Sequence, residues 1–294
     1  MKLRIGTRGS RLALAQAREV ADALTASGVE TELVAITTAG DRGADPASDP
    51  AGVKGLFVTE IVRALLDGEV ELAVHSAKDL PAGDTDGLVI AAVPERASAL
   101  DVLVTRDGDL PPGARVGTSS IRRQAQVFRW RPDVLVKDLR GNVDTRIRKL
   151  REGVCDAVLL AVAGLERLGR RGEVTEVLEP DVFLPAPGQG AIALEGREDD
   201  GPIAAAVAPL DHAQTARAVA AERALLAGLQ GGCNVPLGAY AVEDDGALRL
   251  TAFVARPDGS NLMRGQTRDT DPARAGAALA EQLLARGARE LMRG

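Results

Sequence analysis

The chain has 294 residues, of which 45% are hydrophobic and only 2% aromatic, so a sizeable core of Ala, Val, Leu and Ile in two or three domains is expected. Its formal net charge of −6 at pH 7 argues against general binding to nucleic acid or to a membrane surface, because both favour basic patches. Two cysteines make no disulfide framework, the first twenty residues do not resemble a signal peptide, and no window is apolar enough for a membrane span. A reducing cytoplasm is the expected location.

Short apolar runs alternate with amphipathic stretches over the first two-thirds of the chain. Strands are predicted at residues 3–7, 31–38, 70–76, 87–93, 101–105, 114–120, 133–141 and 155–164, the last running into a helix. Helices are predicted at residues 10–28, 56–68, 121–130 and 142–153, with Ser10 as a cap and Gly28 as a stop. This alternation predicts an α/β fold with largely parallel sheets.

The pattern changes after residue 210. An Ala-rich helix is predicted from Ala216 to Leu229, three strands at residues 238–244, 247–255 and 261–269, and one final helix from Ala273 to Leu291. Asp-Asp-Gly and Pro-Asp-Gly turns join these strands. We therefore expect a separate α+β domain, reached through a Pro- and Gly-rich crossover at residues 184–195.

Arginines recur where predicted strands end and predicted helices begin. Ligands of open α/β sheets bind beyond the carboxyl ends of the strands, and helix N-termini attract anions. As a group the pattern favours a cleft for a small polyanionic ligand, although any one of these arginines taken alone is better explained as a solvated surface residue. The group comprises Arg8, Arg122, Arg123, Arg140, Arg146 and Arg167, with the hydroxyls of Ser10, Thr118, Ser119 and Ser120 beside it.

A second polar group follows the predicted strand at residues 70–76. Lys78 and Asp79 are expected near the mouth of a cleft, where a carboxylate can act as an acid or base or can stabilise a cation. Capping residues of a simple strand-terminal turn explain the same pattern equally well. His75 lies within the buried strand and is expected to be structural.

The two cysteines lie in different settings. Cys155 begins an apolar strand and is expected in the core, whereas Cys233 lies in a loop between glycines, where something bulky can approach. A thiol with a pKa of about 8.5 becomes nucleophilic when a nearby cation lowers that pKa, and an incidental loop thiol is the alternative. With no C-x-x-C motif and two histidines, we predict no metal site, and neither a dinucleotide fingerprint nor a phosphate-binding loop occurs.

Eight motifs occur together in one order along nearly the whole chain. They are RIGTRGSRLALAQA, KGLFVTE, AVHSAKDLP, VGTSSIRRQAQ, LRGNVDTRIRKL, DAVLLAVAGLERL, LPAPGQGA and LQGGCNVPLGAYA. In combination they closely resemble the hydroxymethylbilane synthase family, also called porphobilinogen deaminase.

The resemblance implies a fold and a domain division. Two α/β domains are expected to resemble type II periplasmic binding proteins with a cleft between them, and a C-terminal α+β domain is expected to carry Cys233. The expected boundaries are residues 1–97 with 191–211 for the first domain, 98–190 for the second and 212–294 for the third.

The resemblance also implies a reaction and a cofactor. Four porphobilinogen molecules are joined head to tail, each losing ammonia to give an azafulvene, and water then releases the linear tetrapyrrole of haem biosynthesis. A dipyrromethane cofactor is expected on Cys233 through a thioether, so that the thiol serves as an anchor rather than as a recycled nucleophile. Each pyrrole brings acetate and propionate groups, which gives the arginines a physical purpose. A monomer with no nucleic-acid or membrane partner is expected.

Family roles carry over to individual positions. Asp79 matches the catalytic aspartate, which is expected to bind pyrrole N–H groups and to stabilise the cationic ring. Cofactor-binding positions are Ser76, Lys78, Thr118, Ser120, Arg122, Arg123, Arg140 and Arg146, with Cys233 as the covalent anchor. Substrate-binding positions are Arg8, Ser10, Arg167 and Gln189, and Lys54 and Phe57 match a mobile loop that acts as a lid.

The sequence departs from the family pattern in two places. Residues 97–100 read Ala-Ser-Ala-Leu where Asp-Pro-Arg is common, although Arg96 and Asp101 remain, and Thr59 stands where lysine is frequent. Two rival functions stay open on the residues alone. One is a non-catalytic anion-binding protein, and the other is a thiol hydrolase that uses Cys233 and His75.

Overall fold

The structure is a computed structural model that describes residues 2–38, 52–229 and 235–292, with the backbone alone for residues 52–57. The chain forms two compact units, Met1–Ala97 with Ala191–Val219 and Ser98–Gly190 with Ala220–Gly294. The three-domain division proposed from the sequence stays a prediction.

Thirteen strands and nine α-helices occur in the described residues. The strands are β1 (Lys2–Arg8), β2 (Glu30–Ile36), β3 (Leu72–Ser76), β4 (Leu88–Ala92), β5 (Asp101–Thr105), β6 (Arg115–Gly117), β7 (Leu135–Lys137), β8 (Ala157–Ala161), β9 (Glu176–Leu178), β10 (Ile192–Arg197), β11 (Leu237–Asp244), β12 (Ala247–Ala255) and β13 (Leu262–Asp269). The helices are α1 (Arg11–Ala26), α2 (Gly52–Leu66), α3 (Ile121–Trp130), α4 (Val143–Arg151), α5 (Val162–Arg167), α6 (Gly201–Val207), α7 (Ala213–Gly228), α8 (Pro272–Ala285) and α9 (Ala288–Met292).

The first unit contains a five-stranded sheet of order β2-β1-β3-β10-β4. Helix α1 begins after its N-cap Ser10 and ends before Gly28, whose positive φ of 84° suits a residue without a Cβ. The apolar stripe of α1, including Val20 and Leu24, packs on Leu3 and Ile5 of β1 in the core. This packing fixes the position of the loop between β1 and α1.

The second unit contains a five-stranded sheet of order β7-β6-β8-β5-β9. Its inner strands β5 and β8 are nearly continuous apolar runs because both of their faces are covered. Ile147 and Leu150 of α4 pack against one face, and Val127 of α3 packs against the other. The carboxyl end of β6 is therefore held next to the first turn of α3.

The prediction of largely parallel sheets holds for four of the five strands in each sheet and misses one antiparallel strand in each. Each five-stranded sheet has two parallel pairings and two antiparallel ones, because β10 lies antiparallel between β3 and β4, and β5 lies antiparallel between β8 and β9. The antiparallel strand in the first sheet comes from a distant part of the chain, so local alternation of strands and helices did not indicate it.

A three-stranded antiparallel sheet of order β11-β12-β13 lies at the C-terminal end of the chain, with α8 and α9 packed on it. The single final helix predicted from the sequence is two helices, because Gly287 adopts a φ of 93° between them. Two sheet-and-helix α/β domains with a small C-terminal sheet domain confirm the predicted fold class. Among the described residues, no helix combines the length and apolar character needed to cross a membrane.

Candidate active site

The ends of β1 and β3 bring together the polar residues predicted in the first unit. The two strands are parallel, with Gly6 opposite Ala73, so Arg8 at the end of β1 and Ser76 at the end of β3 lie at the same edge of the sheet. Lys78 and Asp79 follow in the 3-10 helix Ala77–Asp79, and both are half-buried. This edge is where open α/β sheets bind ligands.

Local hydrogen bonds hold the backbone of this edge. The Ser10 hydroxyl accepts from the N–H of Ala13 at 3.3 Å and caps α1, and the Ser76 hydroxyl donates to the Gln16 side-chain oxygen at 3.0 Å. The Ala77 N–H donates to the carbonyl of Ala191 at 3.0 Å. The Ser76 side chain does not cap the 3-10 helix, so the interpretation of this segment as a simple capped turn gains no support.

His75 belongs to the interior of the first unit. Its Nε2 lies 3.1 Å from Oε2 of Glu195 on the neighbouring strand β10, and the two side chains are 3% and 8% exposed. Neither atom makes a hydrogen bond to the residues that the structure describes, and a histidine buried inside a sheet has no access to a substrate. This is the structural role expected from the sequence, and it counts against the thiol hydrolase.

The turn from β6 into α3 carries the hydroxyls predicted in the second unit. Thr118 is fully buried, and its hydroxyl oxygen accepts from the N–H of Ser120 at 3.2 Å. The Ser120 hydroxyl caps α3 by accepting from the N–H of Arg123 at 3.4 Å. The turn is therefore fixed at the positive end of a ten-residue helix.

Arg122 and Arg123 share one carboxylate, that of Asp101. Arg122 donates from Nη1 to Asp101 Oδ2 at 2.6 Å and from Nη2 to Oδ1 at 3.2 Å. Arg123 donates from Nε at 3.0 Å and from Nη2 at 2.7 Å, both to Oδ1. Arg122 and Arg123 are 5% and 6% exposed, and Asp101 is fully buried. Sequence analysis did not identify Asp101 as a site residue.

Gln189 completes this buried cluster. Its amide nitrogen donates to Asp101 Oδ1 at 3.0 Å and to the carbonyl of Ala99 at 2.7 Å, and the residue is 1% exposed. Both N–H donors of the amide are therefore used inside the protein. The substrate contact predicted for Gln189 stays a prediction, and the contacts that the structure shows are to Asp101 and Ala99.

The cluster keeps an excess of positive charge. Burial alone would raise the pKa of Asp101, but the charges of Arg122 and Arg123, together with hydrogen bonds from Arg122 and Gln189, hold it well below its usual range. Asp101 is therefore ionised, and one negative charge faces two guanidinium groups. A net positive charge remains beside the N-terminus of α3.

Arg146 on α4 adds a third cation. Burial and the positive charge of Arg123 lower the pKa of Arg146 to about 10, against the attraction of Asp138. Its Nη2 lies 3.4 Å from the Ser119 hydroxyl, and its buried Nε has no acceptor among the residues that the structure describes. An arginine held in this way is suited to receive an anion.

Two further predicted arginines lie in the second unit. Arg140 is exposed after β7, with its Nε 3.4 Å from Asp138 Oδ2. Arg167 ends α5 and donates to the carbonyl of Gly190 at 3.2 Å. The structure thus brings Arg122, Arg123 and Arg146 together around the β6–α3 turn.

The comparisons with known proteins decide the family. The model of the porphobilinogen deaminase dipyromethane cofactor binding domain matches residues 3–205, and the model of the porphobilinogen deaminase C-terminal domain matches residues 216–285. The chain belongs to the porphobilinogen deaminase family. It is thus related to transferases of porphyrin biosynthesis.

Relatives in the porphobilinogen deaminase family match this chain over almost its whole length. Porphobilinogen deaminase of Brevibacillus brevis is 48% identical over 99% of this chain and 96% of its own length. The proteins of Syntrophobacter fumaroxidans and Roseiflexus sp. (strain RS-1) are 49% and 48% identical over 99% of this chain, and over 96% and 98% of their own lengths. The resemblance drawn from the motifs is confirmed.

Solved structures also match part of the chain at low sequence identity. The VFT2 domain of BvgS from Bordetella pertussis is 16% identical, with 73% of this chain and 90% of that domain covered and a TM-score of 0.41. The methionine binding protein MetQ is 12% identical, with 68% and 84% covered and a TM-score of 0.43.

The residues present fit the dipyrromethane cofactor of the porphobilinogen deaminase family. Acetate and propionate groups need cationic partners, and the β6–α3 turn provides a net positive charge with the Nε of Arg146, which has no acceptor among the described residues. The cofactor-binding domain matched by the family model includes these residues.

Three predicted positions are described incompletely. Cys233 lies outside the described residues, so its thioether role stays a prediction. Lys54 and Phe57 have helical backbones in α2, which agrees with the helix predicted at residues 56–68 for Phe57 but not with a loop at Lys54, and their role in a lid stays a prediction. Cys155 is fully buried, and burial raises the pKa of its thiol, as a core cysteine requires.

Proposed function

We propose that the chain acts as a hydroxymethylbilane synthase through a cationic cluster that binds pyrrole carboxylates and an aspartate that stabilises the cationic pyrrole. Four porphobilinogen molecules are joined head to tail. Each addition forms one carbon–carbon bond and releases one ammonia, and water finally releases the linear tetrapyrrole. The observation that carries the binding role is the net positive charge around Asp101, Arg122, Arg123 and Arg146 in a chain of net charge −6.

Cys233 holds the cofactor covalently, and cationic and polar side chains bind the carboxylates of the cofactor. When bound, dipyrromethane supplies the pyrrole end to which new units are added. Arg122 and Arg123 each keep N–H donors beyond those used on Asp101, and Arg146 offers its Nε. The further cofactor-binding positions in this proposal are Ser76, Lys78, Thr118, Ser120 and Arg140.

Asp79 carries the chemistry in this proposal. Its carboxylate, at the carboxyl edge of the first sheet, stabilises the positive charge that develops on a pyrrole ring as ammonia leaves, and it accepts pyrrole N–H groups. It also assists proton transfer as the pyrroles are coupled. A cationic side chain at this position would oppose the same charge.

The substrate is held by a second set of groups. The proposed substrate-binding residues are Arg8, Ser10, Arg167 and Gln189, of which Arg8 and Ser10 follow β1 at the same edge of the sheet as Asp79. Lys54 and Phe57 belong to a lid that limits the access of water. The enzyme works as a monomer in the cytoplasm, without nucleic-acid or membrane partners.

The intact mass of the denatured protein, followed by peptide mapping, tests the proposal. We expect a mass above that of the bare chain by two linked pyrrole units, located on Cys233, and no such addition in Cys233→Ser. A bare wild-type chain that gains neither mass nor activity on incubation with porphobilinogen contradicts the proposal and favours a non-catalytic anion-binding protein.

The role of Asp79 has a separate test. We expect Asp79→Ala to lose turnover of porphobilinogen while still carrying the cofactor in part of the molecules. Asp86→Ala, which changes an exposed aspartate on the same connection between β3 and β4, is the matched control. Full activity in Asp79→Ala overturns this role.

A further inference from the structure

Asp101 has no role in the reaction as described so far, yet it is the most heavily bonded side chain at the site. It is the first residue of β5 and is fully buried. Its carboxylate receives hydrogen bonds from Arg122, Arg123 and Gln189, at distances from 2.6 to 3.2 Å. A buried carboxylate with this number of donors fixes the side chains that surround it.

The two arginines are held on a second side by the backbone. Arg122 Nη1 also donates to the carbonyl of Leu184 at 2.6 Å, and Arg123 Nη1 donates to the carbonyl of Leu159 at 2.8 Å. Each guanidinium is therefore clamped between Asp101 and a carbonyl. Its remaining N–H donors point in directions that the protein sets before any ligand arrives, which is the basis of preorganised binding.

The charges of the arginine cluster explain why it contains the carboxylate of Asp101. Three guanidinium groups, those of Arg122, Arg123 and Arg146, would repel one another in a buried site, and the charge of Arg123 already lowers the pKa of Arg146. Asp101 offsets one of these charges from the interior side and leaves the excess for a ligand. Its removal would leave the arginines in mutual repulsion and free to turn.

We infer that Asp101 is a positioning residue that aims Arg122 and Arg123 at the carboxylates of the cofactor and the growing chain, with Gln189 as its neutral partner. This inference rests on the proposed function. Asp101 touches no reacting atom in this scheme and acts only through the two arginines. The amide N–H groups of Gln189 act in turn through Asp101, since they go to Asp101 and Ala99.

The variant Asp101→Asn tests the inference, because it keeps the shape of the side chain and removes its charge. Asp156→Asn is the matched control. Asp156 receives a two-point contact from Arg115 in the same sheet, at 2.9 Å from Nε and 2.9 Å from Nη2, but at the opposite, amino end of β6. It is 23% exposed and so more accessible than Asp101. Both substitutions break an ion pair, whereas only Asp101 lies at the ligand end.

Three readouts separate positioning from stability alone. We expect Asp101→Asn to carry cofactor in a smaller fraction of molecules by intact mass, to raise KM for porphobilinogen about tenfold or more, and to accumulate incompletely extended chains on the enzyme. Asp156→Asn is expected to lower the melting temperature while leaving cofactor content, KM and the mass distribution as in the wild type.

A second variant covers the case in which Asp101→Asn does not fold. Gln189→Met keeps the approximate length of the side chain and the charge of the cluster but removes both amide donors, so it should shift KM in the same direction by a smaller factor. Asp101→Glu restores the charge with a longer side chain and is not expected to rescue KM, because the direction of the arginines is the quantity that matters.

The outcomes distinguish the inference from the proposed function. An active wild type, together with unchanged KM, cofactor content and chain-length distribution in the folded Asp101 and Gln189 variants, overturns the inference alone. Rescue of KM by Asp101→Glu also overturns it, because charge without position would then suffice. A wild type that neither carries cofactor nor consumes porphobilinogen overturns the proposed function itself.

Discussion

Single residues of the cationic cluster show a conflict between stability and binding. Arg146 is half-buried and keeps its charge beside Arg123, although both burial and that neighbour lower its pKa to about 10. A lowered pKa in a basic group means that the folded state disfavours its charged form, at about 1.4 kcal/mol for each pH unit. This unfavourable free energy at a binding site is offset only when an anion binds there.

Arg146→Met is therefore expected to raise the stability of the cofactor-free protein. In a Cys233→Ser background, which keeps the cofactor from attaching, we expect the free energy of unfolding in urea to rise by about 1 to 3 kcal/mol. Arg148→Met on the same helix is the control, because Arg148 is exposed and pairs with Glu152, and a change of less than about 0.5 kcal/mol is expected there. A clear loss of stability in Arg146→Met would refute this account.

The sequence pointed to the arginines but not to the carboxylate that holds them. Arg122, Arg123 and Arg146 stand at predicted helix starts, which is a local pattern. Asp101 precedes an apolar strand and so resembles an ordinary strand-end residue. Its burial depends on partners 21, 22 and 88 positions away, and no local pattern contains that information.

At the level of helices and strands, local sequence predicted where elements occur better than how they pair. The apolar runs correctly indicated β1, β3, β5 and β8. They did not indicate β10, which begins inside the segment predicted as a crossover, nor its antiparallel place between β3 and β4. The short strand β9 was missed, since its three residues form no run.

Two glycines let α7 and α8 approach closely, and they are Gly228 of α7, where a Cβ would lie 2.7 Å from the Cβ of Ala280, and Gly276 of α8. A Cβ on Gly276 of α8 would lie 2.6 Å from the carbonyl oxygen of Ala221 and 2.5 Å from the Cβ of Ala224, both on α7. Helices approach this closely only where a side chain is missing. In the sequence, Gly276 is merely a poor helix former.

Gly276→Ala is thus expected to destabilise the protein despite its better helix propensity. The helices must move apart, and we expect a loss of about 1 to 3 kcal/mol in the free energy of unfolding, measured in urea. Gly201→Ala at the start of α6 is the matched control, because a Cβ there meets nothing within 4 Å, and it should be neutral or slightly stabilising. Equal effects of the two substitutions would contradict the packing argument.

On the scale of the whole molecule, the C-terminal sheet is joined to the arginine cluster through the segment at residues 184–190. Glu222 of α7 is fully buried and accepts from the N–H of Gly188 at 2.6 Å and from the N–H of Ala241 in β11 at 2.9 Å. The same segment supplies the Leu184 carbonyl to Arg122 and the Gln189 amide to Asp101. The three-stranded sheet and the second α/β domain are therefore expected to unfold as one.

Glu222→Ala should make the three-stranded sheet unfold separately from the second α/β domain. It leaves two buried N–H groups without an acceptor, and the expected loss of stability is about 2 to 5 kcal/mol. The chain has one tryptophan, Trp130 in α3, and one tyrosine, Tyr240 in β11, so each region has its own probe. Tryptophan fluorescence and the ¹⁹F signal of incorporated 3-fluorotyrosine should change together with urea in the wild type, whereas in Glu222→Ala the ¹⁹F transition should come first.

Glu222→Gln is the control for this experiment, because its amide oxygen still accepts one of the two N–H groups, and it should shift both transitions less and keep them together. Coincident transitions in Glu222→Ala would mean that apolar contacts such as Phe253 with Leu184 and Ala125 join the two regions without the carboxylate. Separate transitions in the wild type would mean that the C-terminal sheet folds independently, and the arginine cluster would then keep its geometry without that sheet.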